Sequence, residues 1–176
     1  FGVAGMSIMA HSKKQWARFN TATGKARGSK ADSIEVLYEK RRRGGDLYLK
    51  IDKDRTRRIR TRGKGGFGVY KKRLRDTSHT VFVRPRGNGW IRLYGVIMER
   101  RGPGVVLDTM GINGTRARQS LKWNLSLWRK MVKRRNPALV ILAYGTNESG
   151  DTHISISKYE TNLREVLVRL KQVAPK

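Results

Sequence analysis

The 176 residues hold 40 Lys and Arg against 13 Asp and Glu, a formal charge of +27 with a pI near 11.4, so the expected class of partner is a polyanion. There is no cysteine, which excludes a disulfide scaffold, a thiolate zinc site and a thiol nucleophile. No run approaches the roughly 18 consecutive apolar residues of a spanning helix, which excludes an integral helical membrane protein.

The chain opens on Phe1-Gly2-Val3 with neither an initiator Met nor a signal peptide, and reads as an excised segment. The first hundred residues then read as short strands between turns. From Ser33 to Glu39, the apolar Ile34, Val36 and Tyr38 alternate with Ser33, Glu35 and Glu39, the two-residue period of a half-buried strand. A basic turn from Lys40 to Gly45 leads into a strand from Asp46 to Asp52, with Leu47, Leu49 and Ile51 on one face, and Asp52-Lys53-Asp54 makes a tight reversal. Further strands are expected over Phe67 to Leu74, Thr80 to Arg84 and Trp90 to Met98. Arg57-Arg58 and Lys71-Lys72-Arg73 fall in turns or on polar faces. Evenly spaced strands with no helical run between them imply an antiparallel β-sandwich, jelly-roll-like, over residues 1–101.

The pattern changes at Arg100-Arg101-Gly102-Pro103-Gly104, a boundary or crossover loop. Val105-Val106-Leu107 is a short apolar strand, and Gly111-Ile112-Asn113-Gly114 a loop. Between Arg116 and Arg135, Leu121, Leu125, Trp128 and Val132 recur at steps of four, three and four, which is one face of a helix. Ala138 to Tyr144, bounded by Pro137 and Gly145, reads as a strand buried on both faces. A last helix has Ser157 and Glu160 as a capping box and Leu163, Val166, Leu167 and Leu170 as its buried stripe. Residues 102–176 are therefore expected to form an incomplete α/β segment, flavodoxin-like, with a parallel sheet.

Chemistry concentrates where apolar strands run into glycine-rich loops. Two such loops follow the expected parallel strands, Asp108 to Thr115 and Tyr144 to Ser149. Each combines glycine with a side-chain amide, so together they can aim a backbone N–H and a carboxamide NH₂ at one oxyanion. Gly114 and Gly145-Thr146-Asn147-Glu148 resemble the second and third sequence blocks of the SGNH (GDSL-type) esterase and acylhydrolase superfamily. The run from Leu139 to Glu148 looks most like the branch that includes peptidoglycan O-acetylesterases, some members of which insert a carbohydrate-binding-type β-sandwich between the first and second blocks. The resemblance implies a carboxylic ester hydrolase acting on an acylated carbohydrate or peptidoglycan, outside the cell or in its envelope, with no cofactor and no metal. Gly114 and Asn147 are its oxyanion donors, and Gly145, Asp108 and Glu148 support them, with Glu148 where most members carry Asp.

The other two blocks are not spelled out. No Gly-Asp-Ser occurs, and Gly5-Met6-Ser7 lacks the acidic neighbour. After Glu148, Asp151-Thr152-His153 has the wrong spacing for Asp-x-x-His, while Asp76-Thr77-Ser78-His79 has the spacing but precedes the second block. A companion segment is therefore expected to supply Ser and His. The competing reading is a non-catalytic binder of nucleic acid or another anionic polymer through two basic runs. One is Arg41, Arg42 and Arg43; the other contains Arg57, Arg58, Arg60 and Arg62.

Overall fold

The computed structural model describes residues 6–174. The chain divides into two compact units, Met6–Leu107 and Asp108–Lys176. The first unit contains eight strands: β1 (Ile8–Ala10), β2 (Ala17–Asn20), β3 (Ala31–Lys40), β4 (Asp46–Ile51), β5 (Arg57–Arg60), β6 (Gly66–Thr77), β7 (Thr80–Pro85) and β8 (Ile91–Glu99). They form two four-stranded antiparallel sheets, ordered β1-β8-β3-β6 and β2-β7-β4-β5.

The two sheets share one buried cluster. Ile34, Val36 and Tyr38 from β3 and Ile91 and Leu93 from β8 meet Leu47, Leu49 and Ile51 from β4 and Val81 and Val83 from β7. The alternation of β4 explains its place: Leu47, Leu49 and Ile51 are buried while Lys50 is exposed, so one face of the strand is core and the other meets water. Each such fully buried aliphatic side chain contributes about 1.5–3 kcal/mol relative to exposure.

Two features close the turns. Asp52 takes a left-handed φ of 51° and Asp54 N donates to Ile51 O at 2.9 Å, the reversal expected after β4. At Gly45 a Cβ would lie 2.3 Å from the carbonyl oxygen of Gly89, so only glycine lets the β3–β4 connection pass the segment leading into β8. Three strands differ from the sequence expectation. β1, β2 and β5 are three or four residues long, and β5 holds Ile59 as its single core side chain among three arginines. Its alternation is too short to register in a sequence, and charge on an edge strand blocks further pairing.

The second unit contains α1 (Ala117–Ser120), α2 (Leu125–Arg135) and α3 (Ile156–Lys171), with a 3-10 turn over Glu148–Gly150. The helix expected from Arg116 to Arg135 is broken in two. Asn124 accepts from Leu127 N at 2.9 Å and so caps a new helix start. α2 ends at Asn136, in left-handed conformation at φ 46°, directly before Pro137. α3 begins two residues earlier than expected. Ser155 rather than Ser157 is its N-cap, accepting from Lys158 N at 3.2 Å, and Glu160 pairs with Arg164. Val166 is buried, whereas Leu167 stays 43% exposed at the margin of the expected stripe.

The parallel sheet expected for residues 102–176 is not formed among the described residues. Val105 to Leu107 and Ala138 to Tyr144 carry no ladder hydrogen bonds, and Val105, Leu107, Leu139 and Ile141 are among the exposed large hydrophobics. An apolar run becomes a strand only when a neighbouring backbone takes up its N–H and C=O groups. Neither run has such a neighbour here.

Candidate functional site

The loops that carry Gly114 and Asn147 meet within the second unit. Thr115 N donates to Ile112 O at 3.0 Å, closing a turn in which Gly114 adopts φ 75°. A residue with a Cβ is strained in that region, so glycine at 114 fits the turn. From the other loop, Asn147 Nδ2 donates to Thr115 O at 3.1 Å. One N–H of the carboxamide is thereby used and its plane is fixed, while its second N–H is left for another acceptor.

Glu148 ties the same two segments together. One carboxylate oxygen accepts from Ala117 N at 2.7 Å, at the start of α1, and the other accepts from Gly145 N at 3.0 Å. Gly145 has φ 124° and its carbonyl accepts from Ser149 N at 2.8 Å, closing the second turn. A carboxylate accepting two backbone N–H groups is a strong bridge. The extra methylene of Glu over Asp gives the reach to span both.

A second bridge lies alongside. Arg116 Nε and Nη2 bind the two carboxylate oxygens of Asp151 at 2.7 and 2.5 Å, a forked pair. The hydrogen bond from Arg116, with the guanidinium charge, holds the Asp151 carboxyl below the ordinary carboxylate range. Sequence reasoning passed over Arg116 and gave Asp151 no role. The available signal was the position of Arg116 directly after Gly114-Thr115 and of Asp151 four residues after Asn147. Asp108, expected to support the glycine loop, pairs instead with Arg135 in the last turn of α2, at 2.6 Å.

The histidines and the lone serine candidate resolve otherwise. His79 is buried, with Nδ1 at 2.6 Å from Asp52 and Nε2 at 3.1 and 2.9 Å from the carbonyl oxygens of Ala31 and Arg75. Acceptors face both ring nitrogens, an arrangement that favours the doubly protonated ring. Burial opposes that charge, but the Asp52 hydrogen bond and the backbone carbonyls outweigh it and raise the His79 pKa. Asp76, its partner in the sequence spelling, binds Arg100. Ser7 is exposed directly before β1, while Gly5 lies outside the described residues.

The two basic runs converge within the first unit. Arg41 N donates to Thr61 O at 3.0 Å and Arg41 bridges Arg62, which joins the turn of Arg41, Arg42 and Arg43 to the end of β5. Arg57 lies 5.8 Å from the Tyr70 ring centre, Arg58 binds Asp46, and Arg60 is exposed. Of the aromatic residues, Trp90 is 45% exposed and 4.2 Å from the His11 ring, and Tyr94 is buried near Phe67. Among the described residues no group of acidic, His or Cys side chains is arranged to hold a metal ion, and no helix is long and apolar enough to cross a membrane.

Comparison with known proteins adds little. No family model and no curated protein matches the sequence. Among solved structures, a family GH115 4-O-methyl-alpha-glucuronidase with specificity for decorated arabinogalactans is similar over 49% of this chain and 13% of its own, at 11% identity and a TM-score of 0.35. A likeness at that level decides nothing about function.

Proposed function

We propose that this chain is the sandwich and middle portion of an SGNH-type carboxylic ester hydrolase that removes an acyl group from a carbohydrate, with O-acetylated peptidoglycan as the substrate class. The observation that carries this reading is the hydrogen bond from Asn147 Nδ2 to Thr115 O, which brings the carboxamide beside Gly114. A Ser from a companion segment attacks the ester carbonyl, and a His from that segment takes its proton. Gly114 N–H and the free N–H of Asn147 donate to the tetrahedral oxyanion. Thr115 O fixes the carboxamide, and Glu148 fixes the two loops, so little reorganisation is left for the reaction itself.

Two further features support the reading. The strand orders β1-β8-β3-β6 and β2-β7-β4-β5 fit a jelly roll. The unpaired apolar runs at 105–107 and 138–144 suit strands of a parallel, flavodoxin-like sheet whose neighbours lie in the companion segment. Such an enzyme works outside the cell or in its envelope, where its substrate is.

In the longer protein, Asn147→Ala lowers kcat by about 10²–10³ while KM changes little. An unchanged kcat removes Asn147 from the mechanism. Coding sequence on either side that lacks both Gly-Asp-Ser and Asp-x-x-His removes the hydrolase reading altogether.

The second reading, a polyanion-binding protein, is favoured by the junction of the two basic runs at Arg41 and Arg62. It expects affinity for nucleic acid that falls steeply with salt in a titration from about 50 to about 200 mM. Affinity unaffected by salt rejects it.

A further inference from the structure

The outer face of the β2-β7-β4-β5 sheet is built unlike an ordinary solvated surface. Because the core takes Leu47, Leu49, Val81, Val83 and Ile59, the alternate residues of those strands point outward. Strand register aligns them in rows. Arg18 and Lys50 flank Phe82 in one row, and Arg84 and Arg58 flank Tyr48 in the next. With neighbouring strands about 4.8 Å apart, the backbone positions of each flanking pair lie about 10 Å apart across an aromatic residue. The Arg84 guanidinium lies 5.3 Å from the Tyr48 ring centre. Beside Phe82, Trp16 is 65% exposed, with ring centres 6.3 Å apart and planes tilted by 47°.

Asp46 is the single acidic residue on these four strands, and it is consumed. Its carboxylate takes Arg58 at 2.7 Å, Arg86 at 3.3 Å and Asn88 at 2.8 Å, and it is buried. The face therefore offers forked donors and positive charge, plus one aromatic ridge, and almost no free acceptor. Its complement is a ligand rich in anionic acceptors.

The arrangement of rings distinguishes between polyanions. A single strand of nucleic acid binds by stacking successive bases on successive aromatic side chains. Here the one open stacking station is the Trp16–Phe82 ridge, since Arg84 covers Tyr48. Cations spread over all four strands around a single apolar ridge suit a chain of sugars that bears an anion at intervals and lays an occasional ring face on an aromatic side chain.

We propose that this sheet face binds an acidic glycan, with guanidinium and ammonium groups receiving its carboxylates or phosphates and Trp16 and Phe82 taking one sugar ring. The inference rests on the ester-hydrolase reading only for its choice of carbohydrate, and adds the charge class of that carbohydrate. It fails separately, because binding is measured without turnover.

The test is affinity electrophoresis and calorimetry of the full chain with polygalacturonate, with its fully methyl-esterified form, and with oligo(dT). Polygalacturonate is expected to bind and its uncharged ester to bind at least about tenfold more weakly. Lys50→Ala with Arg84→Ala is expected to cost about tenfold and to flatten the salt dependence, as loss of two charge contacts requires. Trp16→Ala, which lies outside the strands and leaves their pairing intact, is expected to cost several-fold at an unchanged salt slope. Lys130→Ala with Lys133→Ala, exposed on α2, is expected to leave affinity unchanged. Equal or tighter binding of oligo(dT), retained binding of the methyl ester, or an equal loss in the α2 variant each overturns the proposal. So does an absence of polygalacturonate binding.

Discussion

Val81 and Val83 on β7 and Val140 and Ile141 of the second unit all belong to apolar runs, yet the first two are 0% and 3% exposed and the second two 38% and 75%. The difference lies in the neighbours. β7 has β2 on one side and β4 on the other, so its backbone groups are satisfied and its inward side chains meet the opposite sheet. The run from Ala138 to Tyr144 has no ladder partner among the described residues, so burial does not follow from composition. What remains well made in the second unit is its caps and turns, together with the bridges of Glu148 and Arg116 between its two loops. The two loops thus meet although the sheet expected to carry them is not formed among the described residues.

The largest expected effect tests the first half of this contrast. Leu47→Ala removes a fully buried side chain from between the sheets, and urea unfolding should show a loss of about 2–5 kcal/mol. A loss below 1 kcal/mol would mean that the core is far looser than its burial implies. The buried His79 ring gives a pH-dependent effect. Because its folded pKa is raised above the ordinary histidine value of about 6.5, its contribution is fully present below about pH 6.5 and disappears as pH rises through the folded value. Unfolding midpoints should therefore fall on going from weakly acidic to alkaline buffer, and His79→Gln should flatten that slope. An unaltered slope in the variant assigns it to other groups.

Smaller effects belong to the second unit. Ser155→Ala deletes the α3 N-cap and should cost about 1 kcal/mol by thermal melting. If Ser157→Ala costs more, the helix starts where the sequence pattern, rather than the observed cap, puts it. The smallest is Ile141→Ala, within about 0.5 kcal/mol for an exposed side chain in this chain. Addition of the proposed companion segment should raise that cost to the level of Leu47→Ala, since the same residue would then be part of a two-sided sheet.

Strands β3, β4, β6, β7 and β8 were legible in sequence to within a few residues, β3 and β4 because they alternate and the other three because Gly, Pro, Asn or Asp flank them. The short β1, β2 and β5 were not, since three or four residues give no period to detect. Of the candidate site, the glycines and Asn147 were legible as loop residues after apolar runs. The Arg116–Asp151 pair, the double role of Glu148 and the turning of Asp108 to Arg135 were not, because each depends on contacts 27 to 35 residues apart along the chain.

By itself the sequence determined the charge, the antiparallel β architecture of the first unit, the end of α2 before Pro137 and the existence of α3 to within two residues of its start, all of which follow from local period and turn chemistry. Only the tertiary structure decided which apolar runs found partners, which histidine nitrogen met which acceptor, and which arginines came to share a sheet face with Trp16 and Phe82. Such outcomes depend on backbone pairing and register between distant segments, and a residue's own neighbours in sequence carry no record of them.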